Sequence, residues 1–209
     1  MVEKISNYIV DRILLTDEPS IDNNKREILQ FGMIRIIEDI PKFIGIFIIC
    51  YIMNIINELL IVICITLVYK TFIGGSHARS NIGCFLVSTT YFVLPIILAK
   101  YISYDIKIFY FMYICIVFFS IYVIKKIAPA DTVEIPIINR EKRKKMKIGA
   151  CISLIIISIL VFVFIQHITY MKIILYTIFL VDLFTTKPVY KMLRCKYGYE
   201  SEEYGSFYH

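Results

Sequence analysis

Long apolar runs separated by short polar breaks set the pattern of this chain. Six runs stand out, at residues 43–57, 59–72, 84–99, 108–124, 148–165 and 173–184. They are too long for barrel strands and too free of charge for the core of a water-soluble domain. In hydrocarbon, backbone groups must pair within their own segment, so the expected class is all-α. The first two runs would each make roughly 22 Å of helix, short for a span. A hairpin of two thin spans, broken at Asn57-Glu58, is preferred here. One long tilted helix is the alternative, and it would place Asn54, Asn57 and Glu58 at bilayer depth. Ahead of the runs, residues 1–15 read as an amphipathic helix with Ile5, Tyr8, Ile9 and Ile13 on one face. Residues 21–39 read as a second, and Pro41 is expected to end it. The expected architecture is a polytopic membrane bundle of about six short spans. Residues 1–40 would form amphipathic surface helices, 41–186 the membrane domain and 187–209 a tail.

Composition strengthens the membrane reading. Hydrophobic residues, Tyr included, make up 58% of the chain, against about 45–50% apolar residues, counted with Gly rather than Tyr, for a soluble domain. The net charge of +6 raises the question of nucleic acid, and its placement answers it. With six spans, 20 of the 23 Lys and Arg residues fall on one side; only Lys100, Lys107 and Lys172 fall on the other. By the positive-inside rule, both termini, the 74–84 stretch and the basic segment 125–147 are expected in the cytoplasm. Orientation and anionic lipid account for the charge, and no nucleic acid partner is implied. No cleavable signal peptide is expected, because Glu3, Lys4, Asp11 and Arg12 interrupt the first fifteen residues. Thin spans bury poorly alone, so a homo-oligomer, in the simplest case a dimer, is expected.

Candidate chemistry concentrates in the polar break at residues 74–84. Cys50, Cys64, Cys115 and Cys151 lie inside apolar runs, where a thiol packs as a small hydrophobe. Cys84 alone sits in a polar, glycine-punctuated setting, seven residues after His77. An imidazole can take a proton from a thiol and return it to a leaving amine. Near the start of a helix, free N–H groups would also favour an anion at Cys84. His167 falls on the opposite side and His209 in the tail, so neither is a good rival base. Within one helix, His77 and Cys84 would stand about 10.5 Å apart, too far for proton transfer. The backbone must therefore bend between them, and Gly74, Gly75 and Gly83 permit it. Lys70 and Arg79 flank the pair as candidates for holding substrate carboxylates, and Asp131 is a further candidate contact. Ser80, Asn81, Glu38, Asp39 and Asp131 are undistinguished candidates for orienting the imidazole. Asp182, an acid within the last run, is expected to snorkel to the interface. One His and one Cys are too few for a metal site, and no cofactor is expected.

Gly74-Gly75-Ser76-His77-Ala78 followed by Cys84 resembles the signature of the accessory gene regulator protein B family, a family of membrane cysteine endopeptidases. Ala128-Pro129-Ala130-Asp131-Thr132, followed by Pro136-Ile137, is similar to a cytoplasmic loop of the same family. The resemblance implies a place in a bacterial cell membrane, with the site at the cytoplasmic face. It implies an AgrD-type quorum-sensing propeptide as partner, with Cys84 as nucleophile and His77 as base. The propeptide's C-terminal tail would leave, an acyl-thioester would remain on Cys84, and an internal Cys or Ser would close a thiolactone or lactone. A peptide exporter without covalent chemistry and a structural membrane subunit are the alternatives.

Overall fold

The computed structural model describes residues 2–14, 23–76, 81–133, 136–163 and 167–200. They form two compact units that divide between Met53 and Asn54.

In the first unit, α1 (Val2–Ile9) runs into a π-helical turn (Val10–Leu14), and α2 spans Asn23–Ile52. Ser6 Oγ donates to the Gln30 carbonyl at 3.1 Å, and Arg26 reaches both Asp11 oxygens at 2.8 and 2.9 Å. Pro41 does not end a helix as expected; α2 passes through it. Proline removes one donor, a loss that a helix of 30 residues absorbs. Residue 40, the expected boundary, therefore falls inside α2.

The second unit holds α3 (Ile56–Ile73), α4 (Asn81–Tyr101), α5 (Ile106–Lys126), α6 (Arg140–Val163), α7 (Ile168–Leu183) and α8 (Lys187–Met192). The break expected at Asn57-Glu58 lies a few residues earlier, at residues 53–55, where Asn54 takes φ +54°. Asparagine tolerates that left-handed conformation better than most residues. Glu58 is consequently in the first turn of α3, where its carboxylate pairs with Lys100 Nζ at 2.6 Å. α3 has 18 residues, so it does not need a partner to make up its length. Among the described residues, four helices, α3 to α6, are long and apolar enough to cross a membrane.

α7 is the centre of this unit. It is apolar on all sides, and Met171–Ile178 and Leu180–Asp182 are buried, as a helix enclosed by others must be. It packs against α3, α4, α5 and α6. Gly149 lets α6 approach α3: a Cβ there would stand 2.4 Å from the Phe72 ring. The basic residues 140–147, part of the polar break ahead of the fifth apolar run, are helical and occupy the first turns of α6. Asn139 caps it, its Oδ1 accepting from the Glu141 and Lys142 amides at 2.9 and 3.1 Å.

The two ends of this bundle differ in chemistry. At one end Lys172 Nζ donates to the Ile102 carbonyl and lies 4.2 Å from the Tyr104 ring centroid. At the other end gather the close of α3, the start of α4, residues 127–133 of the connection that follows α5, and α8.

Candidate functional site

The site is built where α3 stops. Gly74 takes φ +80° and its amide still donates to the Lys70 carbonyl at 2.8 Å. The chain then pairs with the 128–132 connection in a single parallel bridge between Gly74 and Ala130. The Ala130 amide donates to the Ile73 carbonyl at 2.8 Å, and the Gly75 amide to the Ala130 carbonyl at 2.9 Å. A Cβ on Gly74 would lie 2.1 Å from the Ala130 oxygen, so only glycine fits. Gly75 has φ +146° and more room. Ser76 is held from the other side. Its amide and Oγ both donate to the Phe184 carbonyl beyond α7, at 3.2 and 2.8 Å. The two motifs noted separately along the chain thus form one clamp.

The 128–132 connection is itself braced. Asp131 is almost fully buried, and its carboxylate accepts from the Ile137 amide at 2.8 Å and from Arg143 at 3.0 Å. Arg143 also donates to the Pro129 carbonyl at 3.3 Å. The Tyr190 hydroxyl donates to the Asp131 carbonyl, and the Tyr197 hydroxyl to the Thr185 carbonyl at 2.6 Å. The Tyr190 and Tyr197 rings stack with centroids 3.9 Å apart. Burial pushes both phenols well above their ordinary range, with further upward pressure on Tyr190 from Tyr197 and Asp131. They therefore stay neutral donors.

Between clamp and brace lies a cavity of about 190 Å³, lined by Lys70, Gly74, Gly75, Asp131, Thr132 and Ile137. Lys70 is half-buried there, its ammonium 4.9 Å from the Tyr91 ring centroid. Cys84 is the fourth residue of α4 and half-buried, with Gly83 beside it in the first turn. His77 and Arg79 lie outside the described residues. The structure thus joins Lys70, Gly74, Gly75 and Asp131 in one place. It also puts Cys84 near the start of a helix, four residues past the 77–80 stretch.

Asp182 does not snorkel. It is fully buried in α7, where Oδ1 accepts from the Tyr69 hydroxyl at 3.0 Å and Oδ2 lies within hydrogen-bond distance of Ser120 Oγ. Snorkelling needs an open path to water, and α3 and α5 close it. Tyr69, Ser120, Arg143, Tyr190 and Tyr197 were not foreseen as individual members of this region. Only Arg143 left a trace, as part of a basic cluster.

Four helices able to cross a membrane, gathered round an enclosed fifth and carrying their polar clamp at one end, make this by class a helical membrane protein. Comparison with known proteins narrows the class. The chain belongs to the accessory gene regulator B family, whose model matches residues 2–186. A putative AgrB-like protein of Clostridium perfringens strain SM101 is 31% identical over 166 residues, covering 78% of this chain and 75% of that protein. Putative AgrB-like protein 2 of Clostridium perfringens strain 13 is 30% identical over the same shares. Accessory gene regulator protein B of Staphylococcus aureus strain MW2 is 31% identical over 136 residues, covering 65% and 70%. No solved structure matches the chain significantly.

Proposed function

We propose that this protein is a membrane cysteine endopeptidase that removes the C-terminal tail of a quorum-sensing propeptide and promotes closure of the remaining peptide into a ring. Family membership supports a role in accessory gene regulator peptide processing. The observation that carries the finer reading is the clamp on Gly74–Ser76, the residues that lead directly into His77. A proton-transfer group benefits from backbone held from two sides immediately before it, because catalytic geometry tolerates little drift.

In this reading Cys84 Sγ attacks the carbonyl that joins the signal sequence to the tail, and His77 takes the thiol proton. The proton passes to the leaving amine, the tail departs, and an acyl-thioester remains on Cys84. A Cys or Ser within the propeptide then attacks the thioester, forming the ring and freeing Cys84. A nucleophile on the same peptide has a high effective molarity, which favours ring closure over hydrolysis. Lys70, in the cavity wall, and Arg79 supply positive charge for substrate carboxylates. Asp131 serves the substrate through the wall it shapes, since Ile137 and Arg143 already occupy its carboxylate. The bias of basic residues toward this end supports a cytoplasmic site.

Cys84→Ala and His77→Ala are each expected to abolish tail release when co-expressed with the propeptide. Intact-mass analysis of the wild type is expected to show the propeptide's N-terminal part bound to Cys84. Tail release by either variant would sink the dyad.

A further inference from the structure

On the outer side of the brace, α5, the end of α7 and α8 enclose a second cavity of about 720 Å³. Phe119, Tyr122 and Leu183 line it, with Lys126, Lys187 and Tyr199. Its polarity follows depth. Phe119 lies seven residues before Lys126 on α5, about 10.5 Å further into a helix that is apolar enough to cross a membrane. Lys126 and Lys187 are exposed, and neither has a partner among the described residues. Arg143 also reaches the cavity, but Asp131 already offsets its charge. Two unpaired cations thus stand beside a pocket whose apolar wall runs toward the membrane interior. Tyr122 and Tyr199 are partly exposed near the cations, as aromatic residues at a headgroup region are.

We propose that this cavity is a binding site for one anionic phospholipid. The phosphate lies between Lys126 and Lys187, and the upper part of an acyl chain lies against Phe119 and Leu183. An acidic peptide fits less well: its charges recur along its length, whereas the cavity joins a cationic part to an apolar one. Basic pockets between helices at the cytoplasmic side are suited to such headgroups. The proposal does not depend on the peptidase reading, because its readout is lipid retention.

The test compares phosphatidylglycerol with phosphatidylcholine on the purified full chain by native mass spectrometry. The wild type is expected to retain one phosphatidylglycerol. Lys126→Ala with Lys187→Ala is expected to weaken that binding about thirtyfold, equivalent to about 2 kcal/mol. Lys191→Ala with Lys196→Ala removes the same charge from exposed positions that do not line the cavity, and is expected to change little. Equal loss in both double variants would show general attraction only and overturn the site, as would equal retention of phosphatidylcholine. Inorganic phosphate raising the melting temperature as much as the lipid would overturn the acyl-chain contact. Preferential binding of a synthetic Glu/Leu/Phe peptide at the same lysines would overturn the choice of ligand. A second measurement leaves the lysines intact. The chain has no Trp, so Tyr122→Trp places one indole beside the cavity. Chain-brominated phosphatidylglycerol is expected to quench it more strongly than brominated phosphatidylcholine; equal quenching counts against the site.

Discussion

Gly74 is the residue on which the site's geometry turns. Its φ of +80° is uncomfortable for any side chain, and its neighbour Ala130 leaves no space for one. Gly74→Ala is expected to cost about 2–4 kcal/mol, seen as a lower melting temperature together with lost tail release. Gly75→Ala meets strain without a clash and is expected to cost about 1–2 kcal/mol. Equal effects at the two positions would contradict the close approach to Ala130. Asp131 presents a different case. Arg143→Ala removes the guanidinium that pairs with this buried carboxylate at 3.0 Å and is expected to cost about 3 kcal/mol. The requirement for glycine at residues 74 and 75 was legible, because a positive φ is a local property. The tenant of the space beside Gly74 was not, since Ala130 meets it through a carbonyl that every residue carries.

At the scale of elements, α7 holds the bundle together and α8 closes the site end. Asp182 ties α7 to α3 and α5 through two hydroxyls. Asp182→Ala takes the acceptor from the Tyr69 hydroxyl in a dry interior, while Ser120 keeps the Ile116 carbonyl at 2.9 Å, and is expected to lower stability by about 2–3 kcal/mol; Ser120→Ala alone is expected to cost about 1 kcal/mol. A value for Asp182→Ala no larger than for Ser120→Ala would argue against the shared network. The Tyr190–Tyr197 stack carries a pH dependence. Both phenols have folded-state values raised above the unfolded value near 10. Their contribution is therefore complete below about pH 10 and is lost as pH climbs toward the raised values. The melting temperature is expected to fall more steeply above about pH 10 in the wild type than in Tyr190→Phe. The long apolar runs announced most of these helices, yet α6 and α7 begin earlier than the runs do. Asn139 caps α6 ahead of its basic turns, and Lys172 stays within α7 because the Ile102 carbonyl and the Tyr104 ring receive it.

For the whole molecule, the second unit has a clamp end rich in Lys and Arg and an opposite end holding Lys100, Lys107 and Lys172. Single cysteines at Lys142 and at Lys107, placed in a chain with its native exposed cysteines replaced, are expected to label from opposite faces of sealed vesicles. Labelling from the same face would overturn the layout in which α5 crosses.

The amino-acid sequence determined that the chain is helical, rich in apolar segments and polar at residues 74–84. Those properties follow from each segment's own need to bury apolar side chains and pair its backbone. It also marked the two motifs that meet at the site. The tertiary structure decided which helix is enclosed, where α2 gives way to α3, and what holds Ser76. Ser76 and Phe184 are 108 positions apart and meet through a backbone carbonyl. Carbonyls and amides are the same at every residue, so their long-range pairing appears only when the helices have packed.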